Sequence, residues 1–272
     1  AVGRGGFGWH RGFDGRIKGV MTEGDSLLFP QASLGDSNVA ALRRLNPWWE
    51  SKPMQVLPKT RRHLVGQIRR RMEAGLAPVV VVRGPRRIGK TVAQMQLISD
   101  LLSEGVDPRR ILHVQFDELS LSRLQEPILR IVDWFETNVL GASLNQAAHA
   151  GRPAFLFLDE VQNLEAWAPQ LKFLVDSSSV KAFVTGSSAL RIEQGRDSLA
   201  GRISTLESGV LSLTEIGIFR GMSGPKPFLA DNGLGPLTQM AFWRDLRSHG
   251  EQHAPFRDAA FASFSERGGY PL

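Results

Sequence analysis

Gly84, Gly89, Lys90 and Thr91 follow one another in the spacing Gly-x-x-x-x-Gly-Lys-Thr, immediately after the apolar run Val79 to Val82. A loop of this composition is suited to holding phosphate. Glycines at 84 and 89, having no Cβ, let the backbone turn through positive φ so that the stretch Pro85, Arg86, Arg87 and Ile88 can wrap an anion. Lys90 can then reach the β- and γ-phosphates and Thr91 can set its hydroxyl on Mg²⁺, while the helix running on through Val92 aims its N-terminus at the charge. A second set lies at the end of the apolar run in AFLFLDE. There Asp159 and Glu160 would supply one carboxylate to the Mg²⁺ shell and a second to an attacking water. A third set, Thr185-Gly186-Ser187-Ser188, follows another apolar run. Its hydroxyls are ordinary turn formers, and they also stand where a γ-phosphate sensor is needed. ATP is favoured over GTP, because no Asn-Lys-x-Asp sequence follows a strand.

The elements that must position these residues are legible in outline. Val79 to Val82, Ile111 to Phe116, the run from Pro153 to Asp159, Val180 to Val184 and Ser204 to Leu211 read as strands. Between them, helices are expected over 59–74, where Leu64, Val65, Ile68 and Met72 face inward and Arg61, Arg62, Arg69, Arg70 and Arg71 outward. Others are expected over 92–102, with its stripe at 92, 95, 98 and 102, over 124–140, around Trp167 to Val175, and over 214–219. Gly141 to Gly151 reads as a loop or a short helix. Strands alternating with helices predict an α/β fold with a parallel sheet flanked by helices. Asp117-Glu118, after the second strand, reads either as an acidic cap or as part of the site at the carboxyl ends of the strands.

Composition bounds the rest. The 272 residues carry a formal net charge of +6 and no cysteine, which excludes a disulfide framework and any thiolate metal site. Residues 1–71 hold 13 Lys/Arg against five Asp/Glu, a net +8, leaving the other 201 residues at −2. Such a local field suits DNA or another polyanion, and it equally suits a solvated helix beside a charged tail. Trp48-Trp49 reads as an anchor on the core or as a base-stacking pair. His249 and His253, with Gly250 between them and no third ligand near, do not read as a metal site. No apolar run reaches the roughly 20 residues of a membrane span, so a cytoplasmic protein is expected. The expected organisation is a tail over 1–37, a basic helical segment over 38–75, a nucleotide domain over 76–222, and a linker with helices around 237–246 and 256–265 over 223–272.

RGPRRIGKT, FLFLDEVQNLEAW, FVTGSSAL, DSLAGR and GGYPL, in that order, resemble the AAA-type P-loop ATPases of bacteria and archaea. The resemblance runs from about Val39 to Leu272. It implies the additional-strand type of P-loop fold with strand order 5-1-4-3-2, and ATP and Mg²⁺ as cofactors. Lys90 and Thr91 become the Walker A pair, and Asp159 and Glu160 the Walker B pair. Thr185 or Ser187 becomes the first sensor, and Arg202 an arginine finger or a sensor acting in cis or from a neighbouring subunit. Val92 departs from a frequent threonine, and Val210-Leu211-Ser212 from a usual Pro-Leu-Ser. The family normally continues beyond GGYPL, so the resemblance implies a C-terminal region that the sequence lacks. Three purposes remain open: an ATPase coupled to nucleic acid, a slow nucleotide-controlled switch acting on a protein partner or within a homo-oligomer, and, last, a small-molecule kinase, for which no arginine-rich acceptor lid is present.

Overall fold

Val79, Val80, Val81 and Val82 are fully buried on both faces of the strand they form, as a run of β-branched residues without a polar alternation requires. The computed structural model describes residues 34–117, 119–187, 199–229 and 235–271. The GRGGFG opening, Glu118, Ser188 and the Asp197-Ser198 start of DSLAGR lie outside the described residues. Five strands, β1 (Val79–Arg83), β2 (Ile111–Gln115), β3 (Phe155–Asp159), β4 (Lys181–Gly186) and β5 (Ile203–Glu207), make one sheet in the order β2-β3-β4-β1-β5. Each neighbouring pair is parallel. Read from the other edge this is the expected order 5-1-4-3-2. β4 lies between the loop strand and the acid strand, with Val82 opposite Thr185 and Leu158 opposite Val184, so the carboxyl ends of β1, β4 and β3 open side by side.

The period of two along each strand divides the core into two layers. Val79, Val81, Leu156, Leu158, Ala182 and Val184 point to one. Helices α1 (Asp36–Leu45), α4 (Leu119–Ser122), α5 (Pro127–Phe135), α6 (Leu144–His149) and α7 (Trp167–Ser177) cover it, with Leu42, Ile128, Ile131, Leu144, Leu171 and Leu174 buried. Val80, Val82, Phe157, Phe183 and Leu206 point to the other, beneath α2 (His63–Ala74) and α3 (Lys90–Ser103). The helix expected over 124–140 is nine residues of α5 continued by a π turn, Glu136–Leu140, which Gly141 ends at φ +71°. Ser143 and Gln146 then form the capping box that starts α6. Val92 leaves the expected apolar stripe: it is 38% exposed, because the first turn of α3 borders a cavity instead of the sheet.

Trp48 and Trp49 serve the core. Both indole N–H groups donate to the Ile111 carbonyl, at 3.1 and 2.8 Å. The Trp48 side chain is buried, and the Trp49 ring lies 5.9 Å from that of Phe135. Next to them Asn46 completes the outer edge of β2: its amide donates to the His113 carbonyl at 2.8 Å and accepts from the His113 N–H at 2.7 Å. A side-chain amide here does what a further strand would do and covers the sheet edge.

The arginines of α2 differ from the sequence expectation at one position. Arg62 points inward, its side chain 9% exposed against Glu215, because α2 begins only at His63 and the residue before it faces the loops at the top of the sheet. Arg61 pairs with Asp100 at 2.6 Å, Arg69 with Glu73 and Glu104, and Arg71 donates to Ser204 Oγ at 2.7 Å. The fifth strand ends at Glu207 and not at Leu211, since Ser208 turns to pass directly over Gly84. The chain closes with α8 (Leu213–Phe219), α9 (Met240–Gln252) and α10 (Ala254–Arg267). Phe256 of α10 packs so closely on α8 that a Cβ at Gly217 would lie 2.3 Å from its Cζ. Among the described residues no helix is long and apolar enough to cross a membrane.

Candidate functional site

The loop between β1 and α3 is shaped by its two glycines. A Cβ on Gly84 would stand 2.1 Å from the Ser208 carbonyl oxygen and 2.6 Å from Ile88 Cδ1. Gly89 sits at φ +89°, the left-handed conformation that glycine adopts freely. Arg87 takes φ +64° without that freedom. Pro85, Arg86 and Arg87 are exposed, while Ile88 plugs into the core. Lys90 opens α3 with its side chain folded back over the loop, where Nζ donates to the carbonyls of Gly84 at 3.0 Å and Pro85 at 2.9 Å. Burial lowers the Lys90 pKa below the ordinary lysine value, against the pull of Glu160 and Asp159, which favours the charge.

Asp159 ends β3 fully buried. Thr91 Oγ1 donates to one of its carboxylate oxygens at 2.7 Å, and Thr185 Oγ1 donates to the other. Burial pushes the Asp159 carboxyl above the ordinary range, offset in part by those two hydroxyls. The Thr185 oxygen also accepts the Glu160 N–H at 3.2 Å, so this one hydroxyl ties both acids to β4. Glu160 itself stands in the left-handed region at φ +55°, which turns its side chain away from the strand. Its Oε2 accepts from Gln162 Nε2 and from Ser187 Oγ, and the Ser187 N–H returns to Gln162 Oε1 at 3.2 Å. Thr185 and Ser187 thus both meet the acid pair, one at each carboxylate. A cavity of about 490 Å³ opens beside them, lined by Thr60, Arg62, Lys90, Thr91, Glu160 and Phe219, with Pro271 at its rim.

Arg202 is not part of this group. It precedes β5, and its carbonyl accepts the N–H of Val79 at 3.3 Å, which puts it at the amino ends of β1 and β5, a full strand length from the phosphate loop. Its guanidinium pairs with Asp176, with Nη2 3.0 Å from Oδ2. The reading of Arg202 as a finger or sensor acting in cis is corrected accordingly: a residue that enters a parallel strand lies at the opposite edge from residues that leave its neighbours.

Arg62, at the cavity, and Glu215, its buried partner, form a pair that a reading of the sequence does not join. Arg62 Nη1 donates to the Ile88 carbonyl at 2.7 Å, to Ser208 Oγ at 3.2 Å and to the Gly209 carbonyl at 3.2 Å. Its Nη2 reaches the Val210 carbonyl at 3.3 Å. Nε and Nη2 meet the two carboxylate oxygens of Glu215 at 3.1 and 3.2 Å. Glu215 also accepts the His63 N–H at 3.0 Å and the Ser212 N–H at 2.9 Å, so one carboxylate caps the N-termini of α2 and α8 together. Burial pushes the Glu215 carboxyl up, but Arg62 and these N–H groups together outweigh it and hold the group below the usual range. Ser212-x-x-Glu215 is visible in the sequence as a capping box; that its acid also faces Arg62 is not.

The chain is similar to several known proteins. An uncharacterized protein of Methanocaldococcus jannaschii, MJ1637, is 28% identical over 121 residues, 44% of this chain and 23% of that protein. The Walker-type ATPase PABY2304 of Pyrococcus abyssi superposes with a TM-score of 0.43 at 14% identity over 63% of each chain. Cdc6p of Pyrobaculum aerophilum superposes with 0.41 at 13% identity over 62% of this chain and 51% of its own. The chain therefore spans less than a quarter of the curated relative it matches and less than two thirds of either solved chain. The family described as an AAA domain matches residues 77–217, a stretch that runs from the strand before the phosphate loop to α8 and includes every residue gathered at the acid pair. By that match the chain belongs to the AAA domain family, built on the P-loop fold.

Proposed function

We propose that the chain binds ATP with Mg²⁺ in the Gly84–Thr91 loop and hydrolyses it. The observation that carries this reading is the convergence of Lys90, Thr91, Asp159, Glu160, Thr185 and Ser187 from three adjacent strand ends. The residues fit both groups. Gly84, having no Cβ, lets Ser208 pass directly over the loop, Lys90 donates to two carbonyls whose place phosphate oxygens can take, and a threonine hydroxyl beside a carboxylate is a hard oxygen donor set suited to Mg²⁺. Thr91 and Asp159 would hold the ion, which when bound supplies positive charge against the phosphate oxygens. Lys90 turns from the loop carbonyls to the phosphates. Glu160 exchanges its partners Gln162 and Ser187 for a water, orients it and draws off its proton, while Thr185 keeps both acids in register.

The biological use of turnover is a separate proposal. Coupling to nucleic acid rests on the charge of residues 1–71, since the tryptophan pair is turned into the core and Arg61, Arg62, Arg69 and Arg71 have partners within the chain. The alternative is a slow switch acting on a protein partner. Phosphate release measured with and without single- and double-stranded DNA at two salt concentrations separates them: several-fold stimulation that salt abolishes supports the first, and slow turnover indifferent to DNA supports the second. Absence of any Mg²⁺-dependent turnover contradicts hydrolysis itself.

A further inference from the structure

We infer that Arg62 is a positioning residue that fixes the phosphate loop to the segment between β5 and α8. The inference rests on the reading of Gly84–Thr91 as the nucleotide site. A guanidinium has five N–H donors in a rigid plane, and those of Arg62 are distributed over three separate pieces of chain: the loop at Ile88, the stretch Ser208–Val210, and Glu215 of α8. Its charge is met by Glu215, and the pair is almost wholly buried, with the side chains 9% and 4% exposed. A cation so engaged is not free to serve as a ligand of substrate, although it lines the same cavity as Lys90 and Thr91.

The two tethers of the loop differ in what phosphate does to them. Lys90 holds the carbonyls of Gly84 and Pro85 and must release them to reach an anion. Arg62 holds the carbonyl of Ile88 while its guanidinium is pinned by the Glu215 carboxylate, so it does not turn toward an anion. When the site fills, the Arg62 tether therefore remains while the Lys90 tether is lost, and it is attached one residue before Gly89, where the backbone passes through φ +89° to start α3. The same tether reaches the end of the described chain: the residue after Val210 donates to the Gly269 carbonyl at 2.6 Å, and Pro271 lines the cavity. Lysine cannot reproduce this arrangement, since three donors on one nitrogen cannot reach acceptors that the guanidinium serves from three separate nitrogens.

The test is equilibrium binding of ADP and AMP to the whole chain, in wild type, Arg62→Lys and Glu215→Gln. The loop grips the β-phosphate, so a misplaced loop costs affinity for ADP and little for AMP. In Arg62→Lys the preference for ADP over AMP should fall about ten-fold, the loss of one or two charge-assisted hydrogen bonds, with the unfolding transition of the nucleotide-free protein intact. Glu215→Gln keeps one acceptor oxygen where the carboxylate has two, so it retains the cap of one helix while loosening Arg62, and should give a smaller fall in the same ratio; it carries the test where Arg62→Lys does not fold. An unchanged ADP preference in a folded variant overturns the inference, and so does an equal loss for ADP and AMP, which marks a residue of the fold alone. Failure of the wild type to bind ADP contradicts the proposed function beneath it.

Discussion

Glu160 shows how much one residue depends on its neighbours. Its backbone is held in a conformation that glycine prefers, its N–H is bound by Thr185, and its carboxylate is shared by Gln162 and Ser187. Of this, the sequence showed an acid after an apolar strand and hydroxyls after another; the part of Gln162 was invisible, because glutamine two residues past an acid is a signal for nothing in particular. Gly84, Gly89, Lys90 and Thr91 were legible because their chemistry is contained in eight consecutive residues. Arg62 and Glu215 were not, being 153 residues apart in the chain. Gly84 supplies a prediction at this scale. Its missing Cβ is replaced by the backbone carbonyl of Ser208 at 2.1 Å, which cannot swing aside as a side chain can. Gly84→Ala should therefore push β5's continuation away from the loop and weaken nucleotide binding at least about ten-fold, measured by titration with a fluorescent nucleotide; wild-type affinity would contradict the packing described.

Among the elements, β2 is the one whose surroundings the sequence left open. Periodicity identified it as a strand and the family resemblance placed it at the sheet edge, but its cover by Asn46, Trp48 and Trp49 rests on side-chain contacts that neither encodes. Its central residue, His113, is buried with neither ring nitrogen hydrogen-bonded among the described residues. Desolvation lowers its pKa from 6.5 to about 4. The unfolded chain thus binds a proton in a range where the folded chain does not, so stability is full above pH 6.5 and falls as the pH drops through 6.5 towards 4. The loss attributable to His113 is about 3 kcal/mol across that window. Urea unfolding at pH 7 and pH 4.5 should show a drop in wild type that is much reduced in His113→Leu; equal drops in the two proteins would mean that other groups carry the acid sensitivity. The helix over 124–140 was foreseen as one piece, but nothing in a count of apolar residues marks the shift to a π turn at Glu136.

For the molecule as a whole, the parallel order β2-β3-β4-β1-β5 explains why residues from three motifs meet, and why Arg202 does not join them. Charge is the property that sequence alone misjudges most at this scale. The excess of Lys/Arg over residues 1–71 is real, yet several of those arginines are committed to Asp100, Glu73, Glu104 and Glu215, so a count of charges overstates the field available to a polyanion. The central claim is that Lys90, Thr91, Asp159 and Glu160 make an ATP-hydrolysing site. The measurement that tests it most directly follows bound ATP and released phosphate together in wild type and Glu160→Gln. Retained Mg²⁺-dependent ATP binding with turnover reduced at least about a hundred-fold is the expected result; a Glu160→Gln chain that hydrolyses ATP at the wild-type rate would contradict the account.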